Sequence, residues 1–442
     1  MLTEKIMSQI TGQNSQLDID TLLKNHRTGY SLEQPFYTDP AIFEEEYKHI
    51  LSRQWQYTDH MNRIPNKGDY FLFNIAGEQI IIIRGEGDTV YAHFNVCRHR
   101  GSRVCLEPEG HAKRLVCPYH AWSYQIDGSL ANARAMPADF DKADFGLRSC
   151  QVRLFGGMIF INLTAEGEGV ADGDVPDFDE ITANLQPWIE RADLRRTKII
   201  EHKLYSSKVN WKIAIENYFE CYHCITSHPE LCKVQLHTLR DAHGTESARS
   251  IFAEHNDDWQ ERAKAFGHKV GSAQWGANLM EQENYGSQMH YAERMLVHHD
   301  LEAAYGQLEG GSAIGSTKLL GSYAADDQGQ VDWGIMPSIF LYTSCTSTVI
   351  FRITPISPLL TEMSQTWLVH EDAVEGVDYN VEAITWIDEV TMEQDEEIVV
   401  NTQAGVSSRV YTPGPYAELE EAIAQVHNDY LRRLRYGRGL AE

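Results

Sequence analysis

The sequence predicts an α+β protein, with one β-rich insert set inside a larger domain of helices and antiparallel strands. Three observations carry this expectation. The chain has 442 residues and is 42% hydrophobic, enough for two domains with full cores. Between Gly68 and Asn162, short aromatic and β-branched runs alternate with Gly-rich turns. Helical segments lie on both sides of that region and return at the C-terminal end.

Taken in order, residues 1–66 read as mainly helical and polar, with an aromatic stretch at Trp55 and Tyr57. Strands are expected at 70–73, 79–84 and 90–96, around the turn Gly85-Glu86-Gly87-Asp88, and at 157–162. The segment 166–180 is acidic and Gly-rich, the pattern of a linker. A helix follows at 208–224, then a polar stretch at 240–315, strands near 331–370, and helices near 378–404 and 416–435. The division expected is 1–50 as the N-terminal helical part of the larger domain, 51–165 as the β-rich insert, and 166–442 as the remainder.

The formal net charge of −26 argues against nucleic acid as a partner, because phosphate binding needs clustered Lys and Arg. It argues equally against an anionic membrane surface. A cationic substrate, or a basic patch on a redox partner, would feel an attractive field; a salt-adapted source would give the same composition. The first sixteen residues lack a basic segment followed by an apolar one, as a signal peptide requires. No apolar run approaches the roughly 20 residues that span a bilayer. The expected location is cytoplasmic. Eight cysteines are sparse for this length, so metal ligation or free buried thiols are expected rather than a disulfide framework.

Four of the candidate ligands fall in two short loops. Cys97-Arg98-His99 is followed, after seventeen residues, by Cys117-Pro118-Tyr119-His120. Two thiolates and two imidazoles are the ligand set of a Rieske [2Fe–2S] centre, in which two His replace two Cys on one iron and raise its potential. Zinc also accepts Cys₂His₂. A zinc finger, however, pairs Cys with Cys and His with His along the chain, whereas each half here holds one of each.

A second constellation runs from Asn210-Trp211-Lys212 through Glu216-Asn217-Tyr218-Phe219-Glu220-Cys221-Tyr222-His223 to His228. Two His and one carboxylate on one face of iron leave open positions for O₂ and substrate. A continuous helix would place Glu216, Glu220 and His223 on one face. His223 and His228 lie five apart, roughly 140° round an ideal helix, so the helix must deform or end near 225–227. Pro229 suits that ending. The carboxylate is expected far downstream, in a helix over 381–402. There Asp388 and Asp395 lie near the centre of an apolar stripe, while Glu389, Glu393, Glu396 and Glu397 point away. Helical geometry leaves both aspartates open. Cys221 and Cys224 read as packing residues. No Gly-x-Gly-x-x-Gly follows a strand, so a nicotinamide is expected to bind a different protein.

The cluster motif, followed by Trp122-x-Tyr124 and Gly128-x-Leu130, resembles the Rieske domain of ring-hydroxylating oxygenase α-subunits, and the resemblance spans most of the chain. It implies an antiparallel β Rieske domain plus a helix-grip-like catalytic domain built on a central antiparallel sheet. It implies a [2Fe–2S] cluster on Cys97, His99, Cys117 and His120, with Arg98, Arg100 and Trp122 around it. It implies mononuclear Fe(II) on His223, His228 and, from the segment Glu393-Gln394-Asp395, Asp395; Asp388 is then a satisfied buried carboxylate. Glu220, with Asn217 beside it, takes the catalytic position of the bridging carboxylate, which in the family links a Rieske histidine of one subunit to a ligand histidine of its neighbour within a homotrimer. The electrons come from NAD(P)H through a separate flavin/iron–sulfur reductase, and O₂ is the co-substrate.

Most ring dioxygenases carry Asp at that bridging position, and Glu is familiar in the branch acting on quaternary ammonium compounds. The chain is also similar to the glycine betaine demethylating oxygenases at 220–224, at Trp367-Leu368-Val369-His370 with 372–379, and at Pro413-Gly414-Pro415-Tyr416. That similarity implies oxidative N-demethylation with release of formaldehyde. Residues 337–348 depart from the pattern, which points to a different betaine if they line the pocket. The alternative is hydroxylation of an aromatic acid. An aromatic cage holds a methylammonium through cation–π contacts; candidates by position are Tyr218, Phe219, Phe340, Tyr342 and Trp367, with Arg352 placed to pair a substrate carboxylate. A pure electron-transfer protein would need no second metal set with open positions.

Overall fold

A computed structural model describes residues 17–164, 175–183, 185–235, 246–268, 271–273, 288–296, 315–327 and 329–440. The N-terminal helices begin where side chains can satisfy their first free amides. Asp18 caps α1 (Ile19–Asn25) by accepting from Thr21 N, and α2 (Gln34–Thr38) carries Pro35 in its first turn. Asp39 caps α3 (Pro40–Glu46), which also opens on proline.

The helical expectation for 1–66 fails at β1 (Gln56–His60), all five residues of which are buried. A segment enclosed on both faces pairs as a strand rather than presenting one helical stripe. β2 (Asp69–Ile75), β3 (Glu78–Arg84), β4 (Val90–Phe94) and β5 (Glu109–His111) form one antiparallel sheet in the order β4-β3-β2-β5. β6 (Leu115–Val116), β7 (Ser123–Tyr124) and β8 (Leu130–Asn132) form a second. β9 (Gln151–Phe155) and β10 (Met158–Asn162) return to β1 in the order β1-β10-β9.

The segment expected to be a linker is helical at its end, because α4 (Phe178–Ala183) begins inside it; residues 165–174 lie outside the described residues. After α5 (Gln186–Ala192), β11 (Thr197–Ser207) opens the larger sheet. α6 (Trp211–Tyr218), α7 (Cys224–Ser227), α8 (Leu231–Val234) and α9 (Glu246–Ala265) precede β12 (Gly271–Ala273) and β13 (His290–Leu296). Much of the polar stretch 240–315 lies outside the described residues. β14 (Gly329–Ile335), β15 (Ile339–Thr343), β16 (Ser347–Ser357) and β17 (Leu360–His370) complete a seven-stranded antiparallel sheet, ordered β11-β17-β16-β15-β14-β13-β12. α10 (Val381–Val406) packs against α6 and β11, and α11 (Glu421–Gly437) against the N-terminal helices.

Two of the hydrophobic cores join these parts. Tyr57 and Phe160 share one with Trp188, Trp333 and Leu341, so the β1–β10 sheet is seated on the large sheet. The other gathers Phe36, Ile213, Phe340 and Leu431 between helices and sheet. Inside it, Glu46 accepts from Trp211 Nε1 at 2.8 Å and also bonds Lys212 Nζ and Tyr430 OH. That buried carboxylate ties α3, α6 and α11 together. No described helix is long and apolar enough to cross a membrane.

Candidate functional site

The four cluster candidates sit on two loops of the same construction. Cys97 N donates to Ser102 O and Gly101 N returns to Cys97 O; Cys117 N donates to Trp122 O and Ala121 N returns to Cys117 O. In each loop the fifth residue is left-handed, Gly101 at φ 74° and Ala121 at φ 58°. This turn points both cysteines inward, 3% and 2% exposed, and leaves both histidines at the surface. His99 Nδ1 and His120 Nδ1 lie 3.1 Å apart.

The surroundings hold that geometry. His99 stacks on Trp122 at 4.8 Å, Arg100 lies over Tyr119, and Arg98 Nη1 donates to Gly146 O. Arg98 N donates to Tyr124 OH at 3.1 Å, and that hydroxyl stands 3.2 Å from Cys97 Sγ. Gly128, at φ 86°, lets His93 pack where a Cβ would come within 2.6 Å of its ring. Burial pushes the Cys97 thiol up beside the neighbouring Cys117. A pair of buried thiolates needs a cationic partner there, which suits the iron of a Rieske cluster.

The second constellation departs from a continuous helix. Asn210 caps α6 by accepting from Lys212 N at 3.1 Å, but the helix stops at Tyr218, not near 224. Glu216 therefore leaves the expected face. It accepts from Tyr37 OH at 2.7 Å and faces His427 Nε2 at 2.9 Å, away from the histidine pair. His223 precedes the single turn of α7 and His228 follows it, so the five-residue spacing is closed by a break rather than a bend.

Three groups then converge. His223 Nε2 and His228 Nε2 are 3.0 Å apart, and Asp395 Oδ1 lies 3.3 Å and 3.0 Å from them. Each imidazole is held from behind, His223 Nδ1 by Glu220 and His228 Nδ1 by Gln394 Oε1 at 2.9 Å. Gln394 is in turn held by Glu230, to which its amide donates at 2.8 Å. Asn217 Nδ2 donates to Asp395 Oδ1 at 3.0 Å and approaches His223 Nε2 at 3.3 Å. Burial raises the Asp395 carboxyl, but its hydrogen bonds to His223 and His228 outweigh this and hold it below the usual range. Burial lowers His223, yet Asp395 and Glu220 together raise it to about 9. Two imidazole nitrogens and a carboxylate oxygen in one cleft form the donor set that suits a mononuclear iron.

Cys221 and Cys224 correct an expectation. They form a disulfide instead of packing as free thiols, because the turn brings their Cα atoms to 5.0 Å, within bridging range.

A cavity of about 420 Å³ opens from the three converging groups. Tyr218, Phe219, Phe340 and Tyr342 all line it: Tyr218 lies 4.0 Å from Phe340 and stacks with Tyr342 at 6.2 Å. Trp367 is 1% exposed and stands behind this wall, donating from Nε1 to Asp388 Oδ2 at 2.8 Å. Arg352 borders the cavity, but its guanidinium is bonded to Thr58 O and, at 2.7 Å, to Glu362. It is not aimed at a ligand carboxylate. Glu396, expected to point away, borders the cavity as well.

Sequence reasoning missed Gln394, Tyr291 and Asp332. Gln394 was visible only as the neighbour of Asp395. Tyr291 and Asp332 lie on adjacent strands that no motif marks, and they reach the cavity through sheet register.

Residues 54–152 match the family described as Rieske [2Fe-2S] domain, and residues 194–436 match Ring hydroxylating alpha subunit (catalytic domain). A glycine betaine monooxygenase oxygenase subunit of Pseudomonas aeruginosa (strain UCBPP-PA14) is 32% identical over 403 residues, 90% of this chain and 88% of that protein. A carnitine monooxygenase oxygenase subunit of Escherichia coli (strain K12) is 34% identical over 208 residues, covering 46% of this chain and 54% of that one. Among solved structures, the quaternary ammonium Rieske monooxygenase CntA in complex with L-carnitine has a TM-score of 0.63 at 20% identity, covering 96% of this chain and 99% of that one. Naphthalene 1,2-dioxygenase from Rhodococcus sp. has 0.59 at 15%, covering 94% and 97%.

Proposed function

The chain belongs to the Rieske non-haem iron oxygenases, in the ring-hydroxylating α-subunit family, and from that premise we propose that it oxidatively N-demethylates a quaternary ammonium compound, glycine betaine or a related betaine. Cys97, His99, Cys117 and His120 hold the cluster, and His223, His228 and Asp395 hold the mononuclear iron. When bound, the cluster supplies single electrons and the iron supplies O₂ activation. The domain limits that go with this reading are 1–50, 51–165 and 166–442. The electrons arrive from a separate reductase, and the assembly is a cytoplasmic homotrimer in which Glu220 stands between one subunit's cluster and its own His223.

The observation that carries the reading is one cavity with the triad at one end and an aromatic wall of Tyr218, Phe340 and Tyr342 beside it. Aromatic faces hold a methylammonium that offers no hydrogen-bond donor. They would present one N-methyl group to the cleft between His223, His228 and Asp395. Asn217 holds Asp395 in place, and Glu220 keeps the proton of His223 on Nδ1 so that Nε2 faces inward.

The chemistry balances. A methyl C–H becomes C–OH, and the second oxygen atom leaves as water with two electrons and two protons. The C–N bond of the hydroxymethyl group then breaks, nitrogen keeping the pair, to give a tertiary amine, formaldehyde and one proton. The test reduces the purified protein anaerobically, then adds O₂ with a panel of betaines and aromatic acids. Formaldehyde from a betaine is expected. Hydroxylated aromatic product with no formaldehyde from any betaine would reverse the assignment.

A further inference from the structure

One feature of the metal site has no part in the chemistry above. The disulfide joins Cys221 to Cys224, and His223 lies between them in the chain. Cys224 also opens α7, and its carbonyl accepts from His228 N at 2.8 Å. The bridge therefore closes on the short stretch that carries both ligand histidines. Glu220 holds the same turn from outside the bridge, accepting from Tyr222 N and, at 3.1 Å, from His223 N.

The buried sulfur of that bridge stands close to the donor set. Cys224 is 4% exposed, and its Sγ lies within 4.8 Å of a ring nitrogen of His223 and of His228. A metal held roughly 2.1 Å from nitrogen and 2.3 Å from sulfur spans at most about 4.4 Å between them. Rotation of a freed Cys224 side chain about its Cα–Cβ bond covers the difference. While the bridge is closed, that sulfur is withheld, because the thiolate is the metal ligand. Cys221 is partly exposed and both cysteines border the cavity, so a reductant has access to the bridge.

We propose that this disulfide is a redox-controlled mask over a fourth protein ligand of the mononuclear metal. Closed, it leaves His223, His228 and Asp395 with open positions. Opened, it releases the Cys224 thiolate to occupy one of them. Three protein ligands with an open position are the catalytic arrangement, whereas four with a thiolate among them are that of a closed site. The inference rests on the metal reading of the triad given above.

The opening step balances with a dithiol as reductant. One of its thiolates attacks Cys221 Sγ, and the S–S bond breaks with the electron pair left on Cys224 Sγ. The second thiol of the reductant then displaces Cys221, so the dithiol loses the two electrons that the bridge gains. Of its two protons, one goes to Cys221 and the other to solvent when Cys224 binds as thiolate.

The test loads the mononuclear site with cobalt(II) in the protein that keeps its cluster, so that the metal is seen apart from the cluster's iron. Cobalt-edge X-ray absorption is recorded before and after anaerobic reduction with a water-soluble phosphine, which opens the bridge without adding a thiol. Alkylation of the denatured protein, counting two additional thiols, verifies the opening. The bridged form is expected to show nitrogen and oxygen neighbours alone, and one sulfur per cobalt should appear after reduction. Cys224→Ser should show no sulfur in either state, and Cys221→Ser should show it with no reductant added. The wild-type comparison needs no substitution, so the proposal remains falsifiable if a variant folds poorly. No sulfur at cobalt once the two thiols are counted, or sulfur that persists in Cys224→Ser, would overturn the proposal and leave the triad standing. Failure of the bridged wild type to bind cobalt would overturn the metal reading, and the proposal with it.

Discussion

Gln394 Oε1 accepts from His228 Nδ1 across 2.9 Å, one residue before the aspartate that faces the other side of the same imidazole. Consecutive residues of α10 thus fix both nitrogens of His228. The bond assigns the proton to Nδ1 and leaves Nε2 as a donor to the cleft. Losing such a partner typically costs about 10- to 100-fold in metal affinity. Gln394→Leu is expected to lose mononuclear iron on dialysis against a competing chelator while the cluster's visible absorption persists. Full iron retention would remove Gln394 from the site.

Tyr124 is placed to tune the proposed cluster. Its oxygen already accepts from Arg98 N, which leaves its own proton for Cys97 Sγ at 3.2 Å. Hydrogen bonds to a cluster's sulfurs favour the reduced, more negative state. Tyr124→Phe should lower the reduction potential by on the order of tens of millivolts, read by potentiometric titration. An unchanged potential would show that this hydroxyl does not donate to the sulfur.

Both side-chain clusters that the structure brings together were legible in the sequence because metal ligation needs particular residue types at short spacings. The Cys-x-His and Cys-x-x-His loops and the His-x₄-His pair are local, and each closes within one turn of chain. What sequence did not carry is the departure from helical geometry at Tyr218. A helical wheel groups Glu216 with Glu220 and His223, but tertiary partners Tyr37 and His427 claim Glu216 once the helix ends. The strand at Gln56–His60 was hidden for a related reason: its polar residues are buried by pairing with β10, which no local pattern reveals. The cavity wall is less legible still, since Tyr291, Asp332 and Asp388 meet only through sheet register and helix packing.

Glu46 and Lys212 form a buried ion pair, 0% and 3% exposed, that Trp211 and Tyr430 complete. Removing one partner leaves a buried charge uncompensated, a cost of about 3–5 kcal/mol. Lys212→Met should therefore lower the melting temperature sharply. Because the two residues share one network, Glu46→Gln added to it is expected to cost less than the sum of the single changes. Strict additivity in thermal or denaturant melts would mean that the pair is not coupled.

Asp388, which borders the aromatic cavity, predicts a pH dependence for the binding of a quaternary ammonium probe. Burial raises its carboxyl to about 7, against the lowering effect of the Trp367 indole and with a further push from Glu389. Of the groups packed against it from other elements, Trp367 and Gln365 on β17 do not titrate, and the phenols of Tyr342 and Tyr205 are raised and stay neutral. On its own helix, burial raises Glu389, but hydrogen bonds from Lys203 and Thr385 together with the Lys203 charge outweigh this and lower it, so it remains ionised. A cation favours the ionised carboxylate, so tetramethylammonium should bind more tightly as pH rises through about 7 and level off above it. Binding below that pH should release a proton, seen as a buffer-dependent enthalpy. Neutral tert-butanol, of similar shape, should show no such slope, and Asp388→Asn should abolish it. A slope that persists in Asp388→Asn would assign the titration to another group and leave Asp388 as a carboxyl that only receives the Trp367 hydrogen bond.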